Sequence, residues 1–165
     1  MFNANNRRQI AKLLTALCLC TSVNSFATTS TGTLAVSSTV LSACAVTGAS
    51  LAFGTYASSQ IDNSASISIT CTNGTAYNIG LDAGGGSGAT TAVRKMTGSI
   101  AGTLNYSLYK DAGRSVVWGN SIGTDTATGT GTGAAQSVSV YGRVPSGQLA
   151  GVGVYSDTVT ITLTY

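Results

Sequence analysis

The chain has 165 residues and a formal net charge of +3, from eight basic and five acidic residues, with no histidine. It is 43% hydrophobic and 8% charged, with 21 glycines against one proline, Pro145. The length suits one domain. Without histidine or glutamate there is no Ser-His-Asp triad and no histidine metal site, and acid–base catalysis would fall to scattered aspartates, lysines and tyrosines.

The first 27 residues have the pattern of a secretory signal peptide. Arg7, Arg8 and Lys12 form a positive start, Leu13 to Leu19 an apolar stretch, and Ser25-Phe26-Ala27 a small-residue cleavage site. The apolar stretch is too short to span a membrane. Removing it takes three basic residues away. Arg94, Lys95, Lys110, Arg114 and Arg143 then balance Asp62, Asp82, Asp111, Asp125 and Asp157. The excess positive charge is a targeting charge, and no basic patch remains for nucleic acid or an anionic membrane.

After the cleavage site, Thr31 to Leu41 alternates weakly, with Leu34, Val36 and Val40 on one parity and Ser38 between them. Val40 to Val46 is a second apolar run, and Leu51 to Gly54 reads as a short strand ending in a turn. Cys18 and Cys20 leave with the signal. Cys44 and Cys71 remain as an even pair in an exported chain, so a disulfide is expected. It would contribute roughly 3–4 kcal/mol in the chain-entropy model.

Ile67, Ile69 and Cys71 alternate with polar residues, Asn73-Gly74 follows, and Tyr77, Ile79 and Leu81 resume the alternation. This predicts a hairpin with a type I′ turn. Gly84 to Gly88 predicts a flexible loop, not a phosphate loop, because Gly-Lys-Ser/Thr does not follow. Asp82 and Asp111 read as solvated turn residues rather than calcium ligands, and Arg94-Lys95 as a solvated pair. Leu104, Tyr106 and Leu108 form a strand. Lys110 to Gly113 is a turn before Val116-Val117-Trp118, and Tyr106, Tyr109 and Trp118 are expected to pack in the core. Asn73-Gly74-Thr75 and Asn105-Tyr106-Ser107 match the glycosylation triplet, but are better explained as a turn and a strand.

Gly119 to Ala135 reads as a long Gly/Thr loop. Val138, Val140, Gly142 and Val144 give the penultimate strand. Val159, Ile161, Leu163 and Tyr165 then alternate with Thr158, Thr160, Thr162 and Thr164, the pattern of a half-buried strand. About eight short strands with glycine-rich turns predict an all-β sandwich. No catalytic residue, metal ligand or cofactor is expected.

Several runs in series resemble the spore coat protein U domain family. They are Cys44, then Phe53-Gly54-Thr55-Tyr56, Ile67 to Cys71, Leu104 to Asp111, Trp118-Gly119, Tyr141 to Pro145 and Gly153 to Val159. The domain is the pilin module of archaic, Csu-type chaperone–usher pili. The resemblance implies an incomplete immunoglobulin-like β-sandwich, completed by a donor strand from another subunit or a chaperone. Residues 28–40 would be the donor extension, with Leu34, Val36 and Val40 its inward residues, and Ser38 departs from the apolar pattern. Residues 41–165 would be the pilin domain, Cys44–Cys71 its disulfide, and Val159, Ile161, Leu163 and Tyr165 the edge strand beside the open groove.

On this reading the sequence stops at Tyr165 because the next strand comes from another molecule. The implied partners are a periplasmic pilus chaperone, an outer-membrane usher and neighbouring pilin subunits. The implied route is export to the periplasm and then the cell-surface pilus, serving adhesion and biofilm formation. The rival expectations are a tip adhesin, a spore or cell-surface coat protein, and a secreted domain with a complete sandwich.

Overall fold

The computed structural model describes residues 26–165, and the signal-peptide reading falls outside them except for its last two residues. The chain divides at Ser38 and Thr39. Residues 26–38 have no regular structure, and every one of them is exposed.

Thr39–Tyr165 is an all-β sandwich of the immunoglobulin-like type, with every paired strand antiparallel. One sheet runs in the order β1 (Cys44–Thr47), β2 (Ile61–Cys71), β7 (Ala135–Val144), β5 (Thr103–Tyr109), β4 (Arg94–Gly98), β8 (Tyr155–Ser156). The other runs β6 (Ala127–Thr130), β3 (Ala76–Leu81), β9 (Ile161–Thr164). The period of two decides which residues lie between the sheets. Ile67, Ile69 and Cys71 of β2 meet Tyr77, Ile79 and Leu81 of β3, with Leu104, Tyr106 and Leu108 of β5 and Val140 and Val144 of β7 completing the core.

The alternating runs around Asn73-Gly74 form strands but not a hairpin. β2 pairs with β1 and β7, whereas β3 pairs with β6 and β9. The Thr75 amide donates to the Thr72 carbonyl, and only Gly74 of the central pair has positive φ, at 82°. The turn therefore carries the chain from one sheet to the other, because both runs bury their apolar faces against each other.

One strand replaces an expected loop, and another lies where no strand was assigned. β6 lies within the Gly/Thr stretch, where Gly129 leaves room for the Tyr77 ring. β4 starts at Arg94, expected to be solvated but wholly buried. Its guanidinium donates to the carbonyls of Leu81, Asp82, Thr91 and Trp118 at 2.8–2.9 Å. Four backbone acceptors for its five N–H donors are what make a buried cation tolerable here. Trp118 is buried as expected and donates from Nε1 to the Ile79 carbonyl. The run around it is a single bridge, Tyr109 to Val117, rather than a strand. Residues 51–54 make no strand either.

Candidate functional site: an apolar groove between two free strand edges

Cys44 and Cys71 lie opposite one another in the β1–β2 ladder and are joined by a disulfide, with Cα atoms 4.1 Å apart. The Thr72 amide donates to the Ala43 carbonyl, so Ala43–Thr72 is a hydrogen-bonded pair. Cys44–Cys71 is then a non-hydrogen-bonded pair, the register that brings facing side chains closest. The same alternation turns the backbone groups of Cys44 and Val46 away from β2. Among the described residues no strand takes them up, since β1 ends its sheet.

β9 presents the matching situation in the other sheet. The Asp82 amide donates to the Thr160 carbonyl, which places Thr160, Thr162 and Thr164 in bonded pairs with β3. Alternation then directs the amides and carbonyls of Val159, Ile161 and Leu163 outward. Their side chains pack against the core yet stay half-exposed, because among the described residues β9 has a neighbour on one side only. β9 spans Ile161–Thr164, so Tyr165 lies just outside it and is exposed.

Beside the β9 edge, between residues 49–53 and 157–161, the sandwich is open. One wall is the segment after β1, with Ala49, Leu51 and Phe53. The other is Asp157, Val159 and Ile161, and together they enclose a cavity of about 170 Å³ floored by the core. A second hollow of about 640 Å³ continues past Leu51, Phe53 and Met96, between Tyr56 and Tyr155. Gly142 makes the first wall possible. A Cβ there would stand 2.5 Å from Leu51 Cδ2 and 2.7 Å from the Phe53 ring. Phe53 packs in turn on Tyr106, with ring centroids 6.0 Å apart.

The groove has one charged lining residue, Asp157. Its Oδ2 accepts the Tyr106 hydroxyl at 2.7 Å, and its Oδ1 accepts the amides of Gly85 and Thr158 at 2.8 Å. Burial, and then this bond to Asp157, push the Tyr106 phenol far above its usual range. Asp157 and its partner Tyr106 were not singled out as site residues on sequence, because they are 51 positions apart and only the fold brings them together.

Of the predicted edge residues, Val159 and Ile161 line the groove, Leu163 packs on the core beyond it, and Tyr165 is exposed. Leu34, Val36 and Val40 are exposed, at 88%, 85% and 80%, in the segment before β1. No cluster of three or more metal-ligating side chains occurs among the described residues, nor does any helix long and apolar enough to cross a membrane.

Comparison with known proteins adds the following. The Spore Coat Protein U domain profile matches residues 30–162. Protein U of Myxococcus xanthus is 34% identical over 157 residues, covering 84% of this chain and 87% of that protein. A chain in the crystal structure of the CsuC–CsuE chaperone–tip adhesion subunit pre-assembly complex, from the archaic chaperone–usher Csu pili of Acinetobacter baumannii, superposes with a TM-score of 0.60 at 21% identity. That match covers 77% of this chain and 41% of the other, so this chain spans under half of that neighbour's length.

Proposed function

The chain belongs to the spore coat protein U domain family, and on that premise we propose that it is a structural, non-enzymatic pilus subunit assembled by donor-strand exchange. In this reading residues 1–27 direct export, residues 28–40 form the donor extension, and residues 41–165 form the receiving domain. A periplasmic chaperone lends a strand to the groove, and the extension of the next subunit replaces it at an outer-membrane usher. The product is an extracellular fibre for adhesion and biofilm formation.

The observation that carries the reading is the groove itself. Val159, Ile161 and Leu163 offer a half-exposed apolar face and outward backbone groups on the same edge. Strand addition satisfies both, with backbone bonds giving affinity and alternate side chains giving selectivity. Three apolar donor side chains at roughly 1.5–3 kcal/mol each contribute about 5–9 kcal/mol before ordering costs. The relation to Protein U and the family description favour a second reading, a coat protein on spores or cells, which immunolocalisation to a coat rather than to filaments would select.

An exposed edge beside an apolar cleft promotes aggregation. The chain expressed in a periplasm without a strand donor is expected to aggregate or be degraded, and to become soluble when a cognate chaperone is co-expressed. A soluble, cooperatively melting monomer made alone would contradict the proposal.

A further inference from the structure

The donor-strand reading leaves open how one chain's extension lies in another's groove, and two polar residues bear on that question. The extension's inward parity reads Leu34, Val36, Ser38, Val40, one polar residue among three apolar ones. The groove wall reads Ile161, Val159, Asp157, Tyr155, with Leu163 packed on the core beyond it, one charged residue along an otherwise apolar or aromatic line. Resting on that reading, we propose that the extension of a second copy enters antiparallel to β9 with its Ser38 facing Asp157, and that this polar pair sets the register.

In an antiparallel ladder directly opposed residues point to the same face. Ser38 opposite Asp157 therefore puts Val36 on Val159, Leu34 on Ile161 and Val40 on Tyr155, beside the larger hollow. Asp157 Oδ2 holds one hydrogen bond, from Tyr106, and a carboxylate oxygen has room for a second, from the Ser38 hydroxyl. Sliding the strand by two residues in either direction sets an apolar side chain on the carboxylate and the serine on Val159 or Tyr155. Both mismatches take from the Ser38 hydroxyl the carboxylate partner it has in the proposed register.

The same arithmetic argues against a chain filling its own groove. β1 and β9 approach one another, with Gly48 beside Ile161. Cys44 sits at the Leu163 end, since its partner Cys71 lies beside Gly131 and that loop adjoins the start of β3. Tyr155 is at the far end, about eight strand residues or roughly 25 Å away. Residues 41–43 span at most about 14 Å, so a chain cannot carry its own Val40 to Tyr155. Self-insertion would have to run parallel to β9, ending near Leu163. With Val40 there, Ser38 falls on Ile161 and Leu34 on Asp157. Ser38 thus favours a second copy over self-completion.

Disulfide trapping tests the register. Ala35 and Thr160 would oppose each other as an outward, non-hydrogen-bonded pair, the closest kind. Both are exposed, so substitution there should leave assembly intact. Full-length Ala35→Cys/Thr160→Cys chains, produced in the native cells, sheared from the surface and oxidised, should give a ladder of multimers on non-reducing gels. The pairs Ala35→Cys/Thr158→Cys and Ala35→Cys/Thr162→Cys should not. A ladder from either shifted pair instead would overturn the register while leaving donor-strand assembly standing. A cross-link confined within monomers, or no cross-link between copies from any of the three pairs, would overturn both.

Discussion

Arg94 shows how much one side chain can hold. Its guanidinium gathers four carbonyls from β3, the loop after it, the turn before β4 and the Trp118 bridge, and it forms no salt bridge among the described residues. Arg94→Met should leave those acceptors unpaired and cost about 3–5 kcal/mol in denaturant unfolding; a loss under 1 kcal/mol would refute the role. The aspartates predict the pH profile. The Arg143 guanidinium holds the Asp62 carboxyl low, against a burial effect that works to raise it. For Asp82 burial again opposes, but bonds from Thr160 and Gly84 prevail, and the Val116 amide leads the lowering at Asp111. Groups lowered on folding stabilise above their unfolded pKa near 3.8, and that contribution is lost as pH falls through the folded value. Tyr106 works oppositely: its pKa is raised by burial first, so its contribution is full below about pH 10 and is lost as pH rises further. With no histidine, the melting temperature should be level from about pH 5 to 9 and fall on either side; a step between pH 6 and 7 would contradict this. Arg94 was misread on sequence because a charged dipeptide usually marks solvent. Only the facing carbonyls, contributed from distant positions, reveal otherwise.

At the level of elements, β2, β5, β7 and β9 were legible because their inward positions carry Ile, Leu, Val and Tyr at a period of two. β6 and β4 were not. β6 contains only Ala, Thr and Gly, and its identity as a strand depends on the Tyr77 ring that covers it. β4 has a buried arginine where an aliphatic residue would signal a core. The Asn-Gly turn and the strands on either side of it were located correctly, but their pairing was not, since local chemistry cannot distinguish a hairpin from an arch between sheets. The first wall of the groove hangs on two elements that can be tested. Gly142→Ala should clash with Leu51 and Phe53 and cost about 1–3 kcal/mol. Removing the Cys44–Cys71 bond should cost about 3 kcal/mol and free β1 first, seen as faster amide exchange at Cys44–Thr47 than in β2. Equal protection of both strands after reduction would show that β1 is held by other means.

At the level of the whole molecule, the sandwich is well closed where Arg94 and Trp118 join the sheets and open between residues 49–53 and 157–161. The sequence carried both halves of the proposed joint as alternating runs, Leu34 to Val40 and Val159 to Tyr165. It did not carry the groove's depth, its Gly142 seat or its single carboxylate, all of which arise from long-range packing. The most direct test is the double substitution Leu34→Asp/Val36→Asp in cells that assemble the native protein. Both residues lie outside the receiving domain, so the account predicts a folded subunit that still co-purifies with its chaperone while surface filaments disappear from electron micrographs. Filaments of normal length and number from that variant would contradict it.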